Sequence, residues 1–217
     1  MKSLLEEGLK RSGLRLGAET CRQLDLFLSE MLRWNQQINL TAIVDPAEAT
    51  EKHLLDSLLL LPYLEGESSL LDMGSGAGLP GIPLKIAMPS LGVVSVDSVG
   101  KKIQFQRHMK RLLTLESFCP CHVRLENLAS KIKRTSGFDL VTARAFSSLE
   151  TIGRLAAPWL NGEGRILAMK GPEGENEARA AEAAMARLGL VVSTVHRYGL
   201  PFSGAERQLV VLSKKPV

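Results

Sequence analysis

The sequence predicts an α/β fold, a largely parallel sheet with helices on both faces, preceded by a helical N-terminal extension. Three observations predict it. From residue 70 onward, short apolar and β-branched segments alternate with helix-length segments, the pattern of βαβ units. The first 66 residues show helical periodicity only. A glycine-rich turn, Gly74 to Gly81, joins the first strand segment to a helix, the place where open α/β sheets bind ligands.

The elements follow in order. Leu24, Phe27, Leu28, Met31 and Leu32 recur at three- and four-residue intervals and give one apolar helix stripe. Asn39 is expected to end that helix as a cap. A second helix is expected over 47–61, capped by Asp45, with Pro46 in its first turn and Pro62 breaking it. Residues 66–69 read as a loop. Strands are expected at 70–73, 92–96, 138–142, 165–169, 190–195 and 208–212. Helices are expected at 83–88, 101–113 and 175–188. The link 197–207 is too short for a crossover helix, so one of the last two strands should be antiparallel.

A chain of 217 residues divides into one domain plus an extension, here 1–66 and 67–217. Apolar residues at 45% and charged residues at 23% exclude a disordered or collagen-like chain. The longest apolar run, from Leu58 to Leu64, is far short of the roughly 20 residues of a membrane span. Glu6 and Glu7 stand where a signal peptide would be apolar, so a cytoplasmic protein without a membrane partner is expected. Cys21, Cys119 and Cys121 are too few for a disulfide scaffold and are expected to be buried, reduced thiols; the alternative for Cys119-Pro120-Cys121 is a redox or zinc fragment. No metal site is expected.

Charge is uneven. Residues 1–66 carry seven Lys/Arg and ten Asp/Glu, whereas residues 101–134 carry nine Lys/Arg and two Glu. The basic stretch, which includes Lys101, Lys102, Arg107 and Arg134, is either a footprint for phosphate backbones or a solvated helix face.

The turn Asp72-Met73-Gly74-Ser75-Gly76-Ala77-Gly78-Leu79-Pro80-Gly81 removes side chains where a cofactor must approach backbone. Gly76 to Gly81 also matches the GxGxxG pattern of NAD-dependent oxidoreductases. Asp72 would oppose a pyrophosphate but suit a ligand carrying an ammonium group, such as S-adenosylmethionine. Pro80 and Pro83 remove amides a phosphate site would use. Asp97, about 20 residues on, suits ribose hydroxyls in either cofactor.

Several segments together resemble the RsmG (GidB) family. They are Trp34-Asn35, Asn39-Leu40-Thr41-Ala42, His53 with Asp56-Ser57, the run 71–83, Asp97-Ser98 with Lys101-Lys102, Arg144-Ala145-Phe146, Lys170-Gly171 and Glu206-Arg207. The resemblance covers about residues 20 to 213. It implies a Rossmann-like, class I S-adenosylmethionine-dependent methyltransferase acting on N7 of a guanine in the 530 loop of 16S rRNA, in the 30S subunit, as a cytoplasmic monomer. It implies cofactor contacts at Gly74, Leu79, Leu125, Glu126 and Arg144, and makes Arg144 the candidate catalytic residue. The family often has His where this chain has Gln208.

The chemistry agrees with these residues. Guanine N7 has a free lone pair at neutral pH, so transfer to it needs positioning and exclusion of water rather than a general base. The Asp/Asn-Pro-Pro-aromatic motif of exocyclic-amine enzymes is absent, since that position reads Thr142-Ala143-Arg144-Ala145-Phe146. Arg144 suits the cofactor, a target phosphate, or an ion pair with Glu126 or Asp97. Phe146 would stack on the guanine or pack in the core, and Lys170 would meet phosphate or be solvated. His53 and Asp56 read as a packing pair between extension and sheet. A non-catalytic RNA-binding or ribosome-assembly factor is the other reading of the same chain.

Overall fold

A computed structural model describes residues 2–64, 66–133 and 136–215. Arg134 lies outside the described residues.

The N-terminal third is helical. Helix α1 spans Lys2–Arg11 and α2 spans Ala18–Ile38. The α2 stripe is buried at Leu24, Phe27, Leu28 and Met31, and Asn39 ends the helix in the left-handed conformation, φ 49°. The expected helix over 47–61 is interrupted. Helix α3 (Pro46–Ala49) runs into a wide π turn (Thr50–Leu55) and then α4 (Asp56–Leu58), with a 3-10 turn at Leu61–Tyr63 around Pro62. Asp45 Oδ1 caps α3 by accepting from Glu48 N at 2.8 Å.

The sheet elements follow as β1 (Ser69–Met73), α5 (Gly81–Ala87), β2 (Gly92–Asp97), α6 (Gly100–Leu112), β3 (Phe118–His122), β4 (Phe138–Arg144), α7 (Leu149–Ala156), β5 (Leu160–Lys170), α8 (Gly174–Arg187), β6 (Leu190–Gly199) and β7 (Glu206–Lys214). The strand order is β3-β2-β1-β4-β5-β7-β6. Strands β1 to β5 pair in parallel, and β7 runs antiparallel to both β5 and β6, as the short link requires.

Two elements escape the sequence reading. Strand β3 is an edge strand with Cys119 and His122 exposed, so it lacks an apolar run. Helix α7 is short, and it is started by Ser148, whose Oγ accepts from Thr151 N at 3.3 Å.

Central strands bury both faces. Leu70, Leu140, Leu167 and Leu209 pack with α1, α2, α5 and α6 on one side. Leu71, Val141, Ile166 and Val210 pack with α7 and α8 on the other. The N-terminal helices therefore share the core of the sheet. Cys21 and Cys121 are buried as expected, but Cys119 is exposed, because alternate β3 side chains on the edge face solvent. Among the described residues no helix is long and apolar enough to cross a membrane.

Candidate active site

The strand order reverses at β1, whose neighbours are β2 and β4, so a crevice opens above its carboxyl end. The glycine turn fills the floor of that crevice. Gly74 adopts φ +63°, and a Cβ there would lie 2.2 Å from Cδ2 of Phe146. Only a residue without a side chain fits both constraints. Phe146 thus lies on the turn.

The turn is held from β2 and α6. Ser75 N donates to Val96 O at 3.0 Å. Gly76 N donates to Asp97 Oδ2 at 2.8 Å, and Asp97 Oδ1 accepts from Val99 N at 2.8 Å. Gln106 Nε2 donates to both Ser75 Oγ and Gly76 O at 2.8 Å. Each Asp97 oxygen keeps a lone pair for a further donor.

Two cavities adjoin at Gly74, Lys102 and Ala145. The larger, about 460 Å³, is walled by Asp97, Leu125, Glu126 and Phe146. The smaller, about 190 Å³, is walled by Thr41, His53, Leu79 and Arg144. The structure therefore brings all six sequence-nominated cofactor residues to this pair of cavities: Gly74 to both, Asp97, Leu125 and Glu126 to the first, Leu79 and Arg144 to the second. Ala145, between them, takes φ +47°, a left-handed conformation costly for a residue with a Cβ.

Asp72 does not meet a ligand ammonium. It is fully buried beneath the turn, where Oδ2 accepts from Gly81 N at 2.9 Å and Oδ1 from Thr142 Oγ1 at 3.1 Å. Burial pushes its carboxyl up to about 7, against the pull of those two donors. A Cβ at Gly81 would stand 2.7 Å from Asp72 Oδ2, so glycine is needed there for this closure.

Arg144 pairs with neither Glu126 nor Asp97. The π turn brings other partners to it from the N-terminal helices. Its Nη1 donates to Lys52 O at 2.9 Å and lies 3.5 Å from Asp56 Oδ2, and its Nη2 donates to His53 Nδ1 at 3.3 Å. Asp56 is shared with the last hairpin. Arg207 Nε is 3.7 Å from its Oδ2, and the Tyr198 hydroxyl donates to Oδ1 at 3.4 Å. Burial, together with the Arg144 guanidinium, drives His53 down to about 4, so it is neutral. His53 and Asp56 are thus the packing pair that the sequence suggested, assembled around Arg144.

Three further readings change. Lys170 is neither solvated nor free for phosphate: its Nζ donates to Ser147 O at 2.6 Å and pairs with Glu177 at 2.9 Å. Lys102 is half-buried on the cavity wall, apart from the exposed Lys101, Arg107, Lys110 and Arg111. Gln208 ties the start of α8 to β7, donating to Pro172 O and accepting from Glu175 N, each at 2.6 Å. Tyr198 carries no motif signal, and Thr41 and Lys102, though they stand in segments that resemble the family, are recognised as site residues only from the fold.

The parallel sheet with an antiparallel β7 inserted before β6, the glycine turn after β1 and the acidic end of β2 define a class I S-adenosylmethionine-dependent methyltransferase. A doubly wound dinucleotide domain would instead continue its parallel order outward from β5. Solved structures of the class share the frame. They include TYW2 of M. jannaschii in complex with AdoMet (TM-score 0.54, 14% identity, 68% of each chain) and the ribosomal protein L11 methylase of Lactobacillus delbrueckii subsp. bulgaricus (TM-score 0.55, 16% identity, 75% of this chain and 78% of that one). The chain belongs to the GidB family, rRNA small subunit methyltransferase G, which it matches over residues 20–210. It is 50% identical over 216 residues to ribosomal RNA small subunit methyltransferase G of Syntrophotalea carbinolica, covering 100% of this chain and 99% of that one. It is 45% identical over 213 residues to the protein of the same name from Geobacter sp. (strain M21), covering 98% and 97%.

The residues present fit S-adenosylmethionine. The larger cavity offers Asp97 and Glu126 to sugar hydroxyls, and the smaller adds a donor-rich end against side-chain-free backbone. When bound, the cofactor supplies a methyl group already activated on a sulfonium sulfur.

Proposed function

We propose that the chain methylates N7 of a guanine in the 530 loop of 16S rRNA, within the 30S subunit or its rRNA, as a cytoplasmic monomer. One observation supports this reading above the others: the smaller cavity, where Arg144 and His53 stand, holds no free general base. His53 is neutral and hydrogen-bonded on both ring nitrogens. Arg144 and Lys102 are cations, and the carboxylates of Asp97 and Glu126 line the other, larger cavity. Such a site suits an acceptor atom that already carries its lone pair, and N7 of guanine is one. Arg144 holds groups in place and moves no proton, since a guanidinium keeps its protons throughout. The exposed cations of α6 share a helix with Lys102 of the cavity wall and would supply a phosphate-facing surface.

The test is transfer of labelled methyl from S-adenosylmethionine to 30S subunits prepared from a strain lacking the family enzyme. The product is mapped by chain scission at 7-methylguanine. Label confined to the 530 loop is expected. Cofactor binding without transfer to any rRNA form would favour an assembly factor instead. Sedimentation of the purified protein checks the monomer.

A further inference from the structure

Thr41 belongs to the link between α2 and α3 and is fixed at both ends. Its N donates to Asn35 Oδ1 at 2.9 Å, and its Oγ1 lies 2.9 Å from His53 Nε2 and 3.1 Å from Ile43 N. The proton on its hydroxyl can be placed by elimination. Arg144 Nη2 has no lone pair, so at 3.3 Å it can only donate, and His53 Nδ1 must be the acceptor. A neutral imidazole carries one proton, which is then on Nε2 and is given to Thr41 Oγ1. Ile43 N–H is a second donor to the same oxygen. Both lone pairs of Thr41 Oγ1 are used, and its own O–H has no acceptor in this set. Thr41 lies on the wall of the smaller cavity, and the hydroxyl is left to donate there.

That cavity can receive an anion, although Arg144 is already paired with Asp56 behind its wall. Lys102 and Arg144 are on its wall, and no carboxylate is among its lining residues. Asp72 is closed off beneath the turn by Gly81 and Thr142. Ser75 Oγ is taken by Gln106 and Val96 O. Of the two ends of S-adenosylmethionine, the adenosine suits the acid-walled larger cavity, and the amino-acid end carries the one carboxylate.

We infer that the Thr41 hydroxyl donates to the carboxylate at the amino-acid end of the cofactor, and that the chain Arg144 to His53 to Thr41 aims its proton there. Thr41 is a binding residue for the cofactor, and Arg144 and His53 are positioning residues that act through it. The inference rests on the cofactor assignment and is independent of which base is methylated.

The experiment is calorimetric titration of the purified chain and its Thr41→Val and Thr41→Ser variants. The ligands are S-adenosylhomocysteine and decarboxylated S-adenosylmethionine, which lacks the carboxylate. Thr41→Val is expected to weaken S-adenosylhomocysteine about tenfold and to leave the decarboxylated ligand unchanged, with Thr41→Ser close to the parent. Equal loss for both ligands would make Thr41 merely structural and overturn the inference, as would no loss for either. A long-range proton–nitrogen correlation spectrum gives a second readout: the His53 proton is expected on Nε2, and a proton on Nδ1 overturns the relay. A parent chain that binds neither ligand would overturn the cofactor assignment, and the inference with it.

Discussion

Arg144 of β4 and Asp56 of α4 meet at 3.5 Å, Nη1 to Oδ2, and this pair joins the N-terminal helices to the carboxyl edge of the sheet. Asp56 is nearly closed to solvent and Arg144 partly so, and Arg207 shares the same oxygen at 3.7 Å. Burial raises the Asp56 carboxyl against the opposing pull of both cations. Asp56→Ala leaves two partly buried guanidinium groups without their carboxylate. The expected cost is about 3 kcal/mol of unfolding free energy, read from urea denaturation. Cofactor affinity should fall with it, because Arg144 then loses the partner that holds it against His53.

His53 and Asp72 give opposite pH dependences. The folded chain keeps a proton on Asp72 up to about 7, whereas the unfolded chain loses it near 3.8. Stability from this group therefore falls as pH rises through that window. The folded chain refuses a proton at His53 until about 4, whereas the unfolded chain accepts one near 6.5. Stability from His53 thus falls as pH drops through 6.5 toward 4. Glu51 and Asp139, both held below their ordinary range by hydrogen bonds, change only at more acid pH. Above about pH 4 the His53 slope opposes those of Asp72 and of Asp56, whose carboxyl is also raised by burial. Relative to the parent, the Asp72→Asn curve should rise with pH and the His53→Gln curve should fall, each by at most about 1.4 kcal/mol per unit. Urea midpoints across this range check both; an Asp72→Asn curve parallel to the parent's would mean that Asp72 holds no proton.

These groups also mark the boundary of what the sequence makes legible. Strand β1 and its turn are readable because an apolar run stops at three closely spaced glycines. Strand β3 is not, because Cys119, Pro120 and His122 sit on an edge that needs no apolar run. Asp72 could be placed on a strand but not on a side of it, since β1 is buried on both faces and alternation carries no direction. The π turn at Thr50–Leu55 has no local signal, because a shift of helical hydrogen bonds by one residue depends on what packs around it. Thr41, His53 and Arg144 converge only through the fold. Residues 53 and 144 are 91 positions apart, and no spacing rule connects them.

Gly74→Ala should disable the turn in two separable ways. The new Cβ would meet the Phe146 ring at 2.2 Å and would also hold an alanine at φ +63°. The left-handed conformation alone costs about 1 kcal/mol. Removing the clash with Phe146→Ala in the same chain should recover part of the lost thermal stability and leave that remainder. Binding of S-adenosylhomocysteine should stay at least about tenfold weaker in the double variant, because a left-handed alanine still strains the turn that lines both cavities. Full recovery of binding would take Gly74 off the cofactor surface.

Cys119 should be the first thiol to react. It is exposed on the edge of β3, and its Sγ lies 3.7 Å from that of Cys121. Donation from the Cys121 thiol, with Lys110 and Arg107 nearby, holds it below the ordinary thiol range. Iodoacetamide at neutral pH is expected to label Cys119 well before Cys121 or Cys21, with Arg107→Ala slowing it. Peptide mass mapping over time reads the order, and equal labelling of Cys21 would contradict the exposure argument.

The basic face of α6 separates RNA affinity from cofactor affinity. Lys101 and Arg107 are exposed and form no ion pair among the described residues, whereas Lys102 lies on the cavity wall. Lys101→Ala with Arg107→Ala removes two cations that touch neither cavity except through the helix that bears them. If they neutralise phosphates, the slope of log affinity for 16S rRNA against log salt should shrink by roughly 0.7 to 0.9 for each one removed. S-adenosylhomocysteine affinity should not move. Lys102→Ala is expected to behave in the opposite sense, weakening the cofactor while changing the salt slope little. A double variant with an unaltered slope would reduce the exposed face of α6 to solvated surface, and the RNA would then have to be held elsewhere.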